Sequence, residues 1–164
     1  MPSSARASTP PSDKLHLDRF VPYRLSVLSN IVSMSIAHAY EREFGLTIPE
    51  WRVLAVLARY PNLSAIEVAD RTAMDKVAVS RAVQSLLGSR RLVRTYDKGD
   101  RRRSMLRLSA AGRAVYTRVA PLALSYERKL LNALSASDRR ALNRLIGRLM
   151  ERARLLDHLD GNGT

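Results

Sequence analysis

The sequence predicts a mainly α-helical domain carrying one small β-hairpin. Apolar residues recur at helical spacing in six separate stretches, and the runs LVRTYD and SMLRLS alternate in the manner of two short strands. Between them, Ser, Thr, Asp, Gly and Pro fall where helices start and stop. With 164 residues and 46% hydrophobic content, the chain suits one domain with terminal extensions and can bury a real core.

The N-terminal stretch MPSSARASTPPSDK has Ser, Pro and one Arg but no apolar core segment, so residues 1–19 read as a disordered arm and not a signal peptide. PYRLSVLSNIVSMSIAHAYEREFG then reads as one long helix within 20–46. Pro22 suits its first turn, Leu25, Leu28, Ile31, Val32, Ile36, Ala39 and Tyr40 form a broad apolar band, and Gly45 closes it. A second helix begins at Thr47-Ile-Pro-Glu50, a Thr-x-x-Glu capping box, and ends at Tyr60-Pro61. A third begins at a second such box, Ser64-Ala-Ile-Glu67, and runs to about Thr72.

The fourth helix starts near Asp75, a capping residue, and separates its faces cleanly. Val79, Ala82, Val83, Leu86 and Leu87 make a core stripe, while Lys76, Ser80, Arg81 and Gln84 point away from it. The two strands follow, with Lys98 and Gly99 at their turn. Two more helices complete the chain. In the first, Pro121 is expected to kink or divide the helix. The second opens at Ser135 or Ser137 and is expected to bury Leu142, Leu145, Ile146, Leu149, Met150, Ala153 and Leu156, in a core or in a dimer seam. The connection Ala73-Met74 has the length that sets two helices at a steep angle, and a hairpin directly after the second of them makes a winged helix-turn-helix over 47–109.

The formal net charge is +13, which points to a polyanionic partner. Its distribution is sharper than its size. Between Lys76 and Arg107 stand ten basic residues and two acids, so this fifth of the chain carries +8 of the total. Arg101, Arg102 and Arg103 would sit on a projecting wing, within reach of a phosphate backbone or a minor groove, beside a helix that enters the major groove. Arg81 and Gln84 are side-chain types that fork to guanine and adenine edges. The bland alternatives are a solvated charge run for the wing and an ordinary polar face for the fourth helix. Arg90 and Arg91 read equally as phosphate contacts or as surface charge.

Other classes are poorly supplied. No Gly-x-Ser-x-Gly elbow, Gly-rich phosphate loop or paired carboxylates appear, so the reading is not an enzyme. The absence of cysteine and the scattering of His16, His38 and His158 leave no metal site, and no cofactor is expected. No apolar run is long enough to span a membrane, and a cytoplasmic protein is expected. The competing binding reading is a constitutive or nonspecific nucleic-acid-binding architectural protein without an effector.

The segments LTIPEWRVLAVL, SAIEVADRTAMDKVAVSRAVQSLL, the wing from Asp97 to Arg102, and LRLSAAGR resemble, in this order, the MarR family of bacterial transcription regulators, over roughly residues 22–157. The resemblance implies a homodimer built through residues 20–46 and 110–164, its two winged lobes reading successive major grooves of a pseudo-palindromic operator in double-stranded DNA. It implies a repressor released by a small effector, an aromatic carboxylate or an aromatic acyl thioester. The DNA-contacting set it implies is Lys76, Val77, Ser80, Arg81 and Gln84 on the helix, with Lys98, Asp100, Arg101, Arg102 and Arg103 on the wing. The family wing reads Asp-x-Arg-Asp-x-Arg; Asp97, Asp100 and Arg102 match it, and Gly99 replaces the first arginine, with Lys98 and Arg101 at its side. Arg102 would then enter the minor groove, its guanidinium oriented by Asp100. The family's ligand cavity lies between the first two helices and the winged lobe, which implies Arg24, Ser29, Ser33, His38, Trp51 and Arg52 as ligand-binding candidates. Read from the residues alone, Trp51 is as well explained as core, Arg52 as surface, and His38 as an interface residue.

Overall fold

In the computed structural model, which describes residues 14–96 and 104–161, six helices and one antiparallel hairpin follow in the expected order. The chain divides into two compact units at residues 48 and 49.

The first unit contains α1 (Val21–Phe44), a single 24-residue helix. Pro22 occupies its first turn, where the missing N–H costs nothing. Gly45 ends it in the left-handed region at φ 58°, its N–H donating to the Glu41 carbonyl. Ala37 and Tyr40 are buried, whereas Leu25, Leu28, Ile31 and Met34 are exposed in the single chain.

The second unit holds α2 (Ile48–Arg59), α3 (Ala65–Thr72), α4 (Lys76–Gly88), β1 (Leu92–Tyr96), β2 (Ser104–Leu108), α5 (Ala110–Leu131) and α6 (Ala136–Gly161). Ser64, Asp75 and Ser135 cap helices as their types predict. Ser64 Oγ accepts from Glu67 N–H while Glu67 Oε2 accepts from Ser64 N–H at 2.7 Å, a complete capping box for α3. Asp75 accepts from the N–H groups of Val77 and Ala78 and starts α4. Ser135 Oγ accepts from Asp138 N–H and starts α6, which decides between the two serines named as its opening.

The core of this unit is assembled from Val53, Leu54 and Leu57 of α2, Val68 and Ala69 of α3, Val79, Ala82, Val83 and Leu86 of α4, Leu92, Leu106 and Leu108 of the hairpin, and Val119 of α5. Hairpin register pairs Leu92 with Leu108 and Arg94 with Leu106. Burial stops at Val93 on β1, and Arg94, Thr95 and Tyr96 are all exposed, so the far end of the hairpin stands clear of the core. Leu63 adds a one-residue bridge to Leu106, a third strand too short to register as alternation in the sequence.

Two open readings are narrowed. Pro121 lies inside one continuous α5, so of the kink and the division the division does not occur. The apolar stripe of α6 is not buried within the chain: Leu145, Ile146, Leu149, Met150 and Leu156 are exposed, as is Ala153, and Leu142 is half-buried. Helical periodicity identifies an apolar face, but it does not say whether the same chain covers it.

Candidate nucleic-acid interface

The interface is built on α3 and α4, which pack against each other. α3 closes with Ala73 in the left-handed region at φ 50°, its N–H bonded to the Ala69 carbonyl, and Thr72 Oγ1 donates to the Val68 carbonyl at 2.8 Å. This turn lets the chain reverse direction within Ala73, Met74 and Asp75 before α4 begins. On α4, the four buried residues Val79, Ala82, Val83 and Leu86 occupy an arc of about 100° at 100° per residue. Lys76, Val77, Ser80, Arg81 and Gln84 are all exposed, on an arc of about 140° facing away from that core. The helix therefore presents two cations, a hydroxyl, an amide and one apolar methyl pair to the outside.

α4 ends in a Schellman motif: Arg91 N–H donates to the Leu86 carbonyl and Arg90 N–H to that of Leu87. Arg90 takes the left-handed position at φ 56°, where glycine is the usual occupant, and its side chain is exposed. Ser109 then fastens this loop to α5. Its Oγ lies 2.7 Å from the Arg90 carbonyl and 3.1 Å from that of Arg91, while accepting from Gly112 N–H at 3.0 Å. Lys98, Asp100, Arg101, Arg102 and Arg103, with Asp97 and Gly99, lie outside the described residues; the strands that carry them end at Tyr96 and resume at Ser104.

Of the ligand-binding candidates, Arg24, Ser29, Ser33 and His38 lie along α1 in the first unit, and Trp51 and Arg52 on α2 in the second. Helical spacing puts Ser29 and Ser33 on one face of α1 and turns His38 to the other side. Trp51 is half-buried, and its ring stacks on Tyr116 of α5 with centroids 5.8 Å apart and planes inclined by 19°. Arg52, next to it, is half-buried as well. The reading of the sequence missed Tyr116, because residues 65 positions apart carry no local signal of their contact. It also missed the pair Glu50 and Ser85, where Ser85 Oγ donates to Glu50 Oε1 at 2.5 Å across 35 residues of chain. At the corner between α2 and α3, Arg59 and Arg71 set their guanidiniums 5.1 Å and 4.4 Å from the Tyr60 ring centre, a cation–π cluster of the same kind of origin. Among the described residues no group of His, Cys, Asp and Glu is arranged to hold a metal ion.

A profile of the MarR family matches residues 44–103, the span from the end of α1 to the wing. A MarR/EmrR family transcriptional regulator from Acinetobacter sp. ADP1 superposes with a TM-score of 0.79 at 25% identity, over 86% of this chain and 99% of that one. Residues 44–103 are similar to the MarR family. Like MarR-family transcriptional regulators, the chain has a winged helix-turn-helix fold, α3 and α4 being the helix-turn-helix and β1–β2 the wing. The HTH-type transcriptional repressor Rv2887 of Mycobacterium tuberculosis is 27% identical over 105 residues, 64% of this chain and 76% of that protein. BpsR of Bordetella bronchiseptica, whose DNA binding is regulated by 6-hydroxynicotinic acid, superposes with a TM-score of 0.74 at 22% identity, over 84% of this chain and 97% of that one. No helix among the described residues is long and apolar enough to cross a membrane.

Proposed function

We propose that this protein is a MarR-family regulator, a repressor that binds a pseudo-palindromic operator as a homodimer and is released by an aromatic carboxylate or its thioester. Residues 47–109 form the DNA-binding domain, and 20–46 with 110–164 form the dimerisation region. The observation that carries the reading is the division of α4: its buried arc seats the helix, and its exposed arc holds only residues able to meet DNA. Lys76 meets phosphate, Arg81 and Gln84 read base edges, Ser80 accepts or donates beside them, and Val77 offers methyl groups to thymine. Lys98, Arg101, Arg102 and Arg103 of the wing add backbone and minor-groove contacts, with Asp100 orienting Arg102. The relative Rv2887 is a repressor, which supports the sign of regulation.

The effector reading rests on the Trp51–Tyr116 stack and on Arg52, the half-buried residue that follows Trp51 on α2. Flat apolar rings suit an aromatic acyl group, and a guanidinium suits its carboxylate in a partly dry setting. The aromatic acid that regulates BpsR is of this chemical class.

The test is selection: random DNA fragments retained by the purified protein are sequenced, and the enriched site is titrated against a scrambled duplex. Enrichment of an inverted repeat with half-sites about one helical turn apart is expected. Arg81→Ala and Gln84→Ala then lose affinity for the site but not for scrambled DNA, whereas Arg102→Ala costs about 1–3 kcal/mol on the site and lowers the salt slope by roughly one phosphate. Retention without any sequence enrichment would replace this reading with the nonspecific architectural one.

A further inference from the structure

We infer that the hydrogen bond from Ser85 to Glu50 sets the rotation of α4 about its own axis, and that the pair is a specificity-determining positioning contact. The inference rests on the reading of α4 as the recognition helix. Glu50 stands in the first turn of α2 and is the buried charged residue among the described residues, 7% exposed. Ser85 Oγ donates to its Oε1 at 2.5 Å. On α4, Ser85 falls about 40° beyond Arg81, on the flank between the exposed reading arc and the buried stripe, and follows Gln84 directly.

Along the turns that carry Lys76 to Gln84, the remaining contacts of α4 leave its rotation soft. Its stripe is Val79, Ala82, Val83 and Leu86, and apolar packing is non-directional, so a small roll exchanges one set of aliphatic contacts for another. Asp75 at one end bonds to the helix's own backbone and turns with it, whereas the Arg90–Arg91 turn at the other is held to α5 by Ser109, beyond the last turn of the helix and farther along the chain from Arg81 than Ser85 is. A side-chain hydrogen bond to a different helix is directional, and Ser85–Glu50 is such a bond. The leverage is large: a roll of about 20° moves an atom about 6 Å from the axis by about 2 Å, whereas base-edge hydrogen bonds tolerate only a few tenths of an ångström. Phosphate contacts made by long lysine and arginine side chains absorb such a shift; bidentate contacts from Arg81 and Gln84 do not.

The experiment measures dissociation constants of the full-length protein for its selected site and for a scrambled duplex, and takes their ratio. Ser85→Ala is expected to reduce that ratio by about tenfold, with the scrambled-DNA constant within about twofold of wild type. Ser85→Thr, which keeps a hydroxyl donor, and Glu50→Gln, which keeps a carbonyl acceptor at the same place, are expected to retain the wild-type ratio. Circular dichroism establishes that each variant is folded at the assay temperature. If Ser85→Ala is not, the double variant Glu50→Leu/Ser85→Ala, which removes both side chains of the pair and the buried carboxylate with them, is read in its place with the same expected loss. An unchanged ratio, or equal weakening on both duplexes without rescue by Ser85→Thr, overturns the inference. A wild-type protein that does not discriminate between the duplexes overturns the recognition-helix reading itself, and that outcome appears in the wild-type arm alone.

Discussion

Gly112 shows how little room the lobe leaves at one residue. A Cβ placed there would lie 2.0 Å from the Arg91 carbonyl oxygen and 2.9 Å from its carbon, both backbone atoms of the loop that Ser109 pins. Neither neighbour can rotate away, so the clash must be relieved by moving the start of α5 or the loop before β1. Gly112→Ala is therefore expected to destabilise by about 3 kcal/mol and lower the melting temperature by about 6–12 °C, read by thermal denaturation. A variant melting within a degree or two of wild type would mean that the approach of α5 to the loop is looser than the structure shows. Conformational freedom is not the issue at this position, because Gly112 sits in a helix; the missing side chain is.

Among the elements, α3 and α4 divide their work between firm ends and a marginal turn. α3 is only eight residues long, too short to persist alone, and its capping box together with burial of Val68 and Ala69 holds it in place. The turn after it places Ala73 at φ 50°, which costs an alanine about 1–2 kcal/mol and costs glycine nothing. Glycine gives part of this back through the greater entropy of its unfolded chain. Ala73→Gly is thus expected to raise stability by about 0.5–1 kcal/mol, seen as a higher urea midpoint with an unchanged slope. A lower midpoint would show that the methyl group of Ala73 contributes packing that outweighs the strain.

At the scale of the whole molecule, two long helices leave their apolar residues uncovered. Among the described side chains of α6 none is buried, with Leu149 51% and Met150 52% exposed, and α1 leaves Leu28, Ile31 and Met34 in the same condition. Single apolar residues on a surface need no explanation, but stripes of this length do. A second copy of the chain is the occupant we propose, since a twofold assembly also supplies the twofold reading of an inverted repeat. Leu149→Glu is expected to convert the dimer to a monomer in light scattering, because a carboxylate cannot be desolvated in an apolar seam, and to weaken operator binding along with it. A wild-type protein that is monomeric at micromolar concentration would refute the proposal. Effector binding belongs to this scale too, since a ligand releases DNA only by preferring a different arrangement of the assembly. Calorimetry with 6-hydroxynicotinic acid and related aromatic acids is expected to show binding to wild type and weaker binding to Arg52→Ala. Equal affinities would remove Arg52 from the site, and no binding by any of them would remove the ligand class.

The local features of this protein were legible in its sequence because their causes are local. Ser64 with Glu67, Asp75, Pro22 and Gly45 bond or restrict backbone within a few residues of themselves, so the helix ends follow from residue type and spacing. The two faces of α4 follow from the same 100° step, and the alternation of Leu106, Arg107 and Leu108 marks β2. Contacts between distant segments needed the tertiary structure. The ring of Tyr116 beneath Trp51, the hydroxyl of Ser85 on Glu50, and the carbonyl of Arg91 against Gly112 join residues whose separation along the chain carries no periodic signal. The apolar stripe of α6 marks the limit between the two kinds of knowledge. Periodicity establishes that one side of the helix avoids water, but only the packed chain reveals that its own core does not reach that side.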